Sequence, residues 1–133
     1  MKNFNIEIVT PEGLAFSGEA ESITLYADTG YVQIMAGHTD YIATLDTGRM
    51  SIRVDGKDRY ASASGGFVSV KNGKVKVVVT SLEFADQIDE QRALEAKEKA
   101  EQRLRDAKTD AEIEIAKAKL KRAITRISVA KLI

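Results

Sequence analysis

Cysteine is absent from this 133-residue chain, so disulfides and thiol chemistry are excluded. Tryptophan is absent as well, and proline and histidine occur once each, as Pro11 and His38. A lone histidine does not supply a His-based zinc site. Net charge is lacking too. Twenty basic residues balance twenty acidic ones, so no global field draws the chain to nucleic acid or to an acidic substrate. No apolar run approaches the ~18–20 residues of a membrane-spanning helix, and no signal peptide opens the sequence. The length suits one ordinary domain or two very small ones, with roughly 65–70% of the unfolded surface buried on folding.

What is present divides at residues 83–93. Before that seam, Phe4, Ile6 and Ile8 alternate with polar neighbours. So do Ile23, Leu25 and Ala27, and then Ile52 and Val54. Period-two patterning marks strands with one buried face. Pro11-Glu12-Gly13, Asp28-Thr29-Gly30, Asp55-Gly56 and Asn72-Gly73 punctuate them, and the last two fit short hairpins. Val75, Val77 and Val79 close this half as a β-branched strand. After the seam there is neither glycine nor proline. Asp86 or Asp89 caps a first helix that runs to about Asp106, and Thr109 with Glu112 has the capping-box spacing that starts a second. The expected fold is therefore α+β in two segments. Residues 1–85 form a β-sandwich or flattened barrel of about nine or ten short strands, and residues 86–133 an antiparallel αα-hairpin.

The apolar faces of the helices are thin. Ala93, Ala96, Ala100, Leu104 and Ala107 line the first; Ile113, Ala116, Leu120, Ala123, Ile127 and Ala130 line the second. Alanine permits close approach but contributes far less burial than leucine or isoleucine, so the hairpin is expected to be weakly held and able to move. Charge is uneven along it. Residues 86–115 carry six basic and ten acidic side chains. Residues 116–133 carry six basic ones, Lys117, Lys119, Lys121, Arg122, Arg126 and Lys131, and no acid. Cations near a helix C-terminus account for part of that, and an acidic partner surface or an anion would account for all of it. No aromatic residue interleaves the stretch, which disfavours nucleic acid.

Two loops carry residue types found in catalytic sites. Gly65-Gly66-Phe67 has no helix after it to receive a phosphate and reads as a tight turn or bulge. Gly37-His38 has Asp40 nearby but no nucleophile, and reads as a turn or interface loop. The seam is more distinctive. Arg122 and Arg126 share a helix face, and in an antiparallel hairpin they return toward Arg92. Guanidinium forks suit phosphate oxygens. Glu83 and Asp89 lie at the same end, where they either balance the arginines or accept hydrogen bonds from a ligand. No G-x-x-x-x-G-K-[ST] loop is present, so a hydrolytic P-loop site is unsupported.

Together these motifs resemble the epsilon subunits of bacterial F-type ATP synthases. The resemblance rests on Val9-Thr10-Pro11-Glu12-Gly13, on Gly37-His38, on Ser64-Gly65-Gly66-Phe67 and on the Ala-rich basic hairpin, and it covers essentially the whole chain. The loop Met35-Ala36-Gly37-His38-Thr39-Asp40 departs from the family's Leu-Pro-Gly-His-x-Pro in lacking both prolines. The resemblance implies a non-catalytic rotor subunit of the central stalk in a proton- or sodium-translocating synthase. Its sandwich would bind the gamma subunit and the c-ring, with Gly37 and His38 in the contacting loop. Its hairpin would extend toward the alpha and beta subunits to inhibit ATP hydrolysis, the basic second helix meeting an acidic segment of beta. The place implied is the cytoplasmic face of the bacterial plasma membrane, with membrane contact through the complex alone. No cofactor is required, but in some members ATP binds the folded hairpin without being hydrolysed. The motif of those members is Ile/Leu-Asp-x-x-Arg-Ala, matched here by Ile88, Asp89, Arg92 and Ala93. Glu83, Arg122 and Arg126 match its other positions, and Lys99 stands where such members have arginine, keeping the charge and losing the bidentate fork.

Overall fold

A computed structural model describes residues 2–132. Eight strands come first: β1 (Phe4–Thr10), β2 (Gly13–Ala20), β3 (Ser22–Ala27), β4 (Gly30–Met35), β5 (Tyr41–Leu45), β6 (Gly48–Val54), β7 (Lys57–Lys71) and β8 (Lys74–Phe84). A 3-10 turn at Ala85–Gln87 leads into helices α1 (Glu90–Asp106) and α2 (Asp110–Ala130). The strands run in the order β2-β1-β8-β7-β5-β3-β4, with β6 paired to both β3 and β7. Most pairings are antiparallel, and β1 lies parallel to β8.

The fold class matches expectation; the strand count falls one or two short of it. The reason lies in β7. Gly65-Gly66 interrupts the sequence pattern, yet the strand continues through it and stays in register with β8 from Ala61 to Lys71. Before the glycines β7 pairs with β6, after them with β5. One bent strand thus serves both layers of the sandwich. The Asp55-Gly56 and Asn72-Gly73 turns hold both residues at positive φ (51° and 74°, 52° and 76°), as two-residue hairpins with right-handed strand twist require.

Alternation delivers the core. Ile6, Ile8, Ile23, Leu25, Ile34, Ile52, Val68, Val77 and Val79 are buried in one cluster, which draws every member from between Phe4 and Phe84. The exception to alternation lies in β7, where Ala61, Ser62, Ala63 and Ser64 are all buried. The alanines enter the core, and α2, which packs on β6, β7 and the 3-10 turn, covers the serines. In the hairpin the buried residues are Ala93 and Ala100 of α1 and Ala116, Ala123 and Val129 of α2. Val129 lies off the apolar stripe read from the sequence and is nevertheless fully buried.

Candidate functional site

The seam is built from local hydrogen bonds. Phe84 N–H donates to Gln87 Oε1 (3.3 Å), which stabilises the turn that ends the sandwich. The Arg59 guanidinium lies 3.6 Å above the Phe84 ring and reaches the Asp86 carboxylate at 3.8 Å. Asp89, not Asp86, caps α1: its carboxylate accepts the Arg92 N–H at 3.2 Å. Thr109 caps α2 by accepting the Glu112 N–H at 3.1 Å, and Glu112 in turn accepts the Lys108 N–H at 3.2 Å.

Two ion pairs fasten α2 to the sandwich. Arg126 Nε donates to Glu83 Oε1 at 2.7 Å, with both side chains about two-thirds buried. Lys121 Nζ donates to Asp46 Oδ2 at 2.7 Å at a more exposed position, and also stands 6.0 Å from the Tyr26 ring centre. The Lys121 hydrogen bond, followed by that from Thr47 N–H, holds the Asp46 carboxyl below the usual carboxylate range.

Between the helices lies a groove of about 280 Å³ lined by Lys99, Arg103, Lys119, Arg122 and Arg126, with Ala96, Ala100 and Ala123 between them. Alanine lets the helix backbones approach while the long basic side chains rim the opening. No carboxylate lines it. Arg126 is balanced by Glu83, but Lys99, Arg103, Lys119 and Arg122 have no ion-pair partner among the described residues, and an anion with several oxygens relieves their mutual repulsion.

The structure therefore brings together Lys99, Lys119, Arg122 and Arg126, with Glu83 at the edge through Arg126. It does not bring in Arg92. The groove runs from Ala96 to Arg103 on α1, and Arg92 is exposed about one turn before it. Ile88 lies in the extended link after the 3-10 turn, Asp89 is the cap, and Ala93 is fully buried. Lys117 and Lys131 are exposed on α2. Arg103 joins the groove unforeseen, although its place four residues after Lys99 puts both on one helix face.

His38 lies in the loop between β4 and β5. Its Nδ1 is 2.7 Å from the Thr39 carbonyl oxygen, which makes Nδ1 the protonated nitrogen, and its ring meets Tyr41 edge-on at 5.6 Å. Asp40 accepts the Asn72 N–H at 3.0 Å instead of pairing with the histidine. Gly37 holds φ at 81° in the same loop. Among the described residues, no cluster of three or more His, Cys, Asp or Glu could hold a metal ion, and no helix is long and apolar enough to cross a membrane.

Comparisons with known proteins extend over both segments. Residues 3–85 match the model of the ATP synthase delta/epsilon chain β-sandwich domain, and residues 86–131 that of the delta/epsilon chain long α-helix domain. The ATP synthase epsilon chain of Bacillus cytotoxicus is 39% identical over 132 residues, covering 99% of each chain. That of Ruminococcus albus is 40% identical over 131 residues, covering 98% of each. Among solved structures, a chain of the Euglena gracilis mitochondrial ATP synthase (OSCP/F1/c-ring) superposes with a TM-score of 0.84 at 19% identity, over 98% of this chain and 82% of that one. A chain of the Tetrahymena thermophila central stalk/c-ring assembly superposes with a TM-score of 0.72 at 15% identity, over 97% of each. At those identities the two superpositions speak for the fold alone.

Proposed function

Given that this chain belongs to the ATP synthase delta/epsilon chain family, we propose that it is the epsilon-type, non-catalytic subunit of an F-type synthase. It works as part of the rotor, with its sandwich against gamma and the c-ring. Its hairpin faces the alpha and beta subunits when extended. It sits on the cytoplasmic face of the bacterial plasma membrane, held there by the complex. The observation that carries this is the full-length match of both segments, in order, to relatives named as epsilon chains. The solved neighbours, at 19% and 15% identity, add agreement in fold.

The hairpin is the regulatory element. Among the described residues, two partly exposed ion pairs join α2 to the sandwich and a third, Arg59–Asp86, joins the turn before α1, so the docked state lies within reach of an extended one. Released, the acid-free C-terminal part of α2, from Ala116 onward, meets acidic protein. Docked, α1 and α2 form the five-cation groove, and ATP bound there without hydrolysis favours the docked state. A ligand at about 100 times its dissociation constant stabilises its bound state by about 2.7 kcal/mol, enough to invert a near-balanced equilibrium.

The test is assembly with gamma and the catalytic head, comparing the full chain with residues 1–85. Both forms co-purify with gamma, and hydrolysis rises when the hairpin is missing. Unchanged hydrolysis removes the inhibitory role, and loss of gamma from both forms removes the rotor role. ATP titration of the isolated chain tests the groove. Arg122→Ala and Arg126→Ala each weaken binding by ~1.5–3 kcal/mol, the scale of a lost charged hydrogen bond, and Arg92→Ala by less. A flat titration of the unaltered chain removes the nucleotide role and leaves the rotor role standing.

A further inference from the structure

A second cavity of about 290 Å³ lies beneath α2, between that helix and the sandwich. Ser62, Ser64, Ser81 and Leu82 form its floor, and Glu83, Arg122 and Arg126 its wall. The serines come from adjacent strands in register: Ser64 of β7 faces Ser81 of β8, and Ser62 faces Glu83. Ser62 and Ser64 are each 5% exposed, and no side-chain hydrogen bond joins either hydroxyl to another described residue. Neither is sealed in an apolar interior, because no described side-chain polar atom is both fully buried and unpaired. Both hydroxyls therefore face the cavity with their hydrogen-bonding capacity unspent, although buried polar groups ordinarily find partners.

The two cavities share Arg122 and Arg126. Their chemistries differ. The interhelical groove is wholly cationic, whereas the lower cavity offers three hydroxyls that both donate and accept and one carboxylate that accepts. Its floor has one apolar side chain and no aromatic ring, so it is poorly suited to a stacked base and well suited to sugar hydroxyls. We propose that Ser62, Ser64 and Ser81 form a sugar-binding floor for a nucleoside triphosphate whose phosphates occupy the interhelical groove. This rests on the nucleotide role given above and extends it. The bound molecule bridges α1, α2 and the sandwich, so it fastens the hairpin to β7 and β8 as well as closing the helices on each other.

Calorimetry of the full chain with ATP, 2′,3′-dideoxy-ATP and inorganic tripolyphosphate separates the two cavities. The double substitution Ser62→Ala, Ser64→Ala removes only hydroxyl oxygens and retains side chains that fit a β-strand beside a helix. It is expected to weaken ATP binding about tenfold, the scale of one or two lost neutral hydrogen bonds, while tripolyphosphate binding is unchanged. Dideoxy-ATP binds the unaltered chain about as weakly as ATP binds the variant, and the substitution does not weaken it further. ATP binding unaffected by the substitution, or tripolyphosphate weakened as much as ATP, overturns the serine floor and leaves the groove as a polyanion site. Failure of both ATP and tripolyphosphate to bind the unaltered chain overturns the floor and the nucleotide role together.

Discussion

At the scale of single residues, the contacts that dock the hairpin are ones that no local pattern encodes. Asp46 and Lys121 are 75 positions apart, and Glu83 and Arg126 are 43 apart. The sequence displays Lys121 as one member of a basic run and Asp46 as an ordinary turn residue. Only the register of α2 over the sandwich makes them partners. Glu83 and Arg126 were legible as charged groups sharing one end of the molecule. Arg92 lies about one turn outside the groove, which on α1 spans Ala96 to Arg103. The Asp46 contact makes a sharp prediction. Its carboxyl titrates below the usual value chiefly because of the Lys121 ammonium, with the Thr47 N–H second. A depressed carboxyl contributes stability that is present above the unfolded value, about 3.9, and is lost as pH falls through the folded value. The contact is therefore intact at neutral pH and fails only in acid. Lys121→Met moves the Asp46 titration upward toward the ordinary range, with a residue of the depression left by Thr47, as read from the carboxyl carbon shift against pH. An unchanged titration would show that the pair does not form in solution.

At the scale of elements, the strands were legible wherever one face meets the core and the other meets water. β1, β3 and β8 follow that rule. β7 breaks it, because α2 lies over the face that would otherwise be solvated, so four consecutive residues are buried and alternation vanishes. The same strand shows that two glycines read as a tight turn or bulge bend the chain without ending the strand. Gly66 sits at φ 142°, and a Cβ on it would fall 1.8 Å from the Val78 carbonyl oxygen of β8. At Gly65 φ is 44°, and a Cβ would meet Thr80 Oγ1 at an ordinary 3.6 Å. The glycines are thus unequal: Gly65 relieves backbone strain, while Gly66 also permits two backbones to touch. Gly66→Ala should destabilise the sandwich by about 3 kcal/mol or more, the range in which backbone strain and overlap combine, and Gly65→Ala by about 1–2 kcal/mol. Urea denaturation followed by the far-ultraviolet signal ranks the pair, and equal losses would count against this account of the bend.

At the scale of the whole molecule, two bodies of unequal strength share one chain. Every member of the continuous core comes from residues between Phe4 and Phe84. The hairpin contributes three buried alanines and one valine from the inner faces, plus Ala93, and large apolar side chains such as Ile115 and Ile124 stay about half exposed. Burial of a leucine-sized side chain contributes about 1.5–3 kcal/mol, which the sandwich collects many times over and the hairpin hardly at all. Exposed ion pairs such as Lys121–Asp46 add about 0.2–1 kcal/mol and are screened by salt. Residues 1–85 alone should therefore unfold cooperatively within a few degrees of the full chain. Residues 86–133 alone should be largely disordered at 25 °C, since tertiary packing supplies most of a helix's stability in proteins and this pair buries little beyond alanine. Circular dichroism of the two pieces decides the matter. A fully helical isolated hairpin would mean that its two states differ by rigid-body movement alone. A disordered one would mean that leaving the sandwich also costs helix, so that release proceeds only where a partner surface re-forms α2 along its acid-free stretch from Ala116 onward.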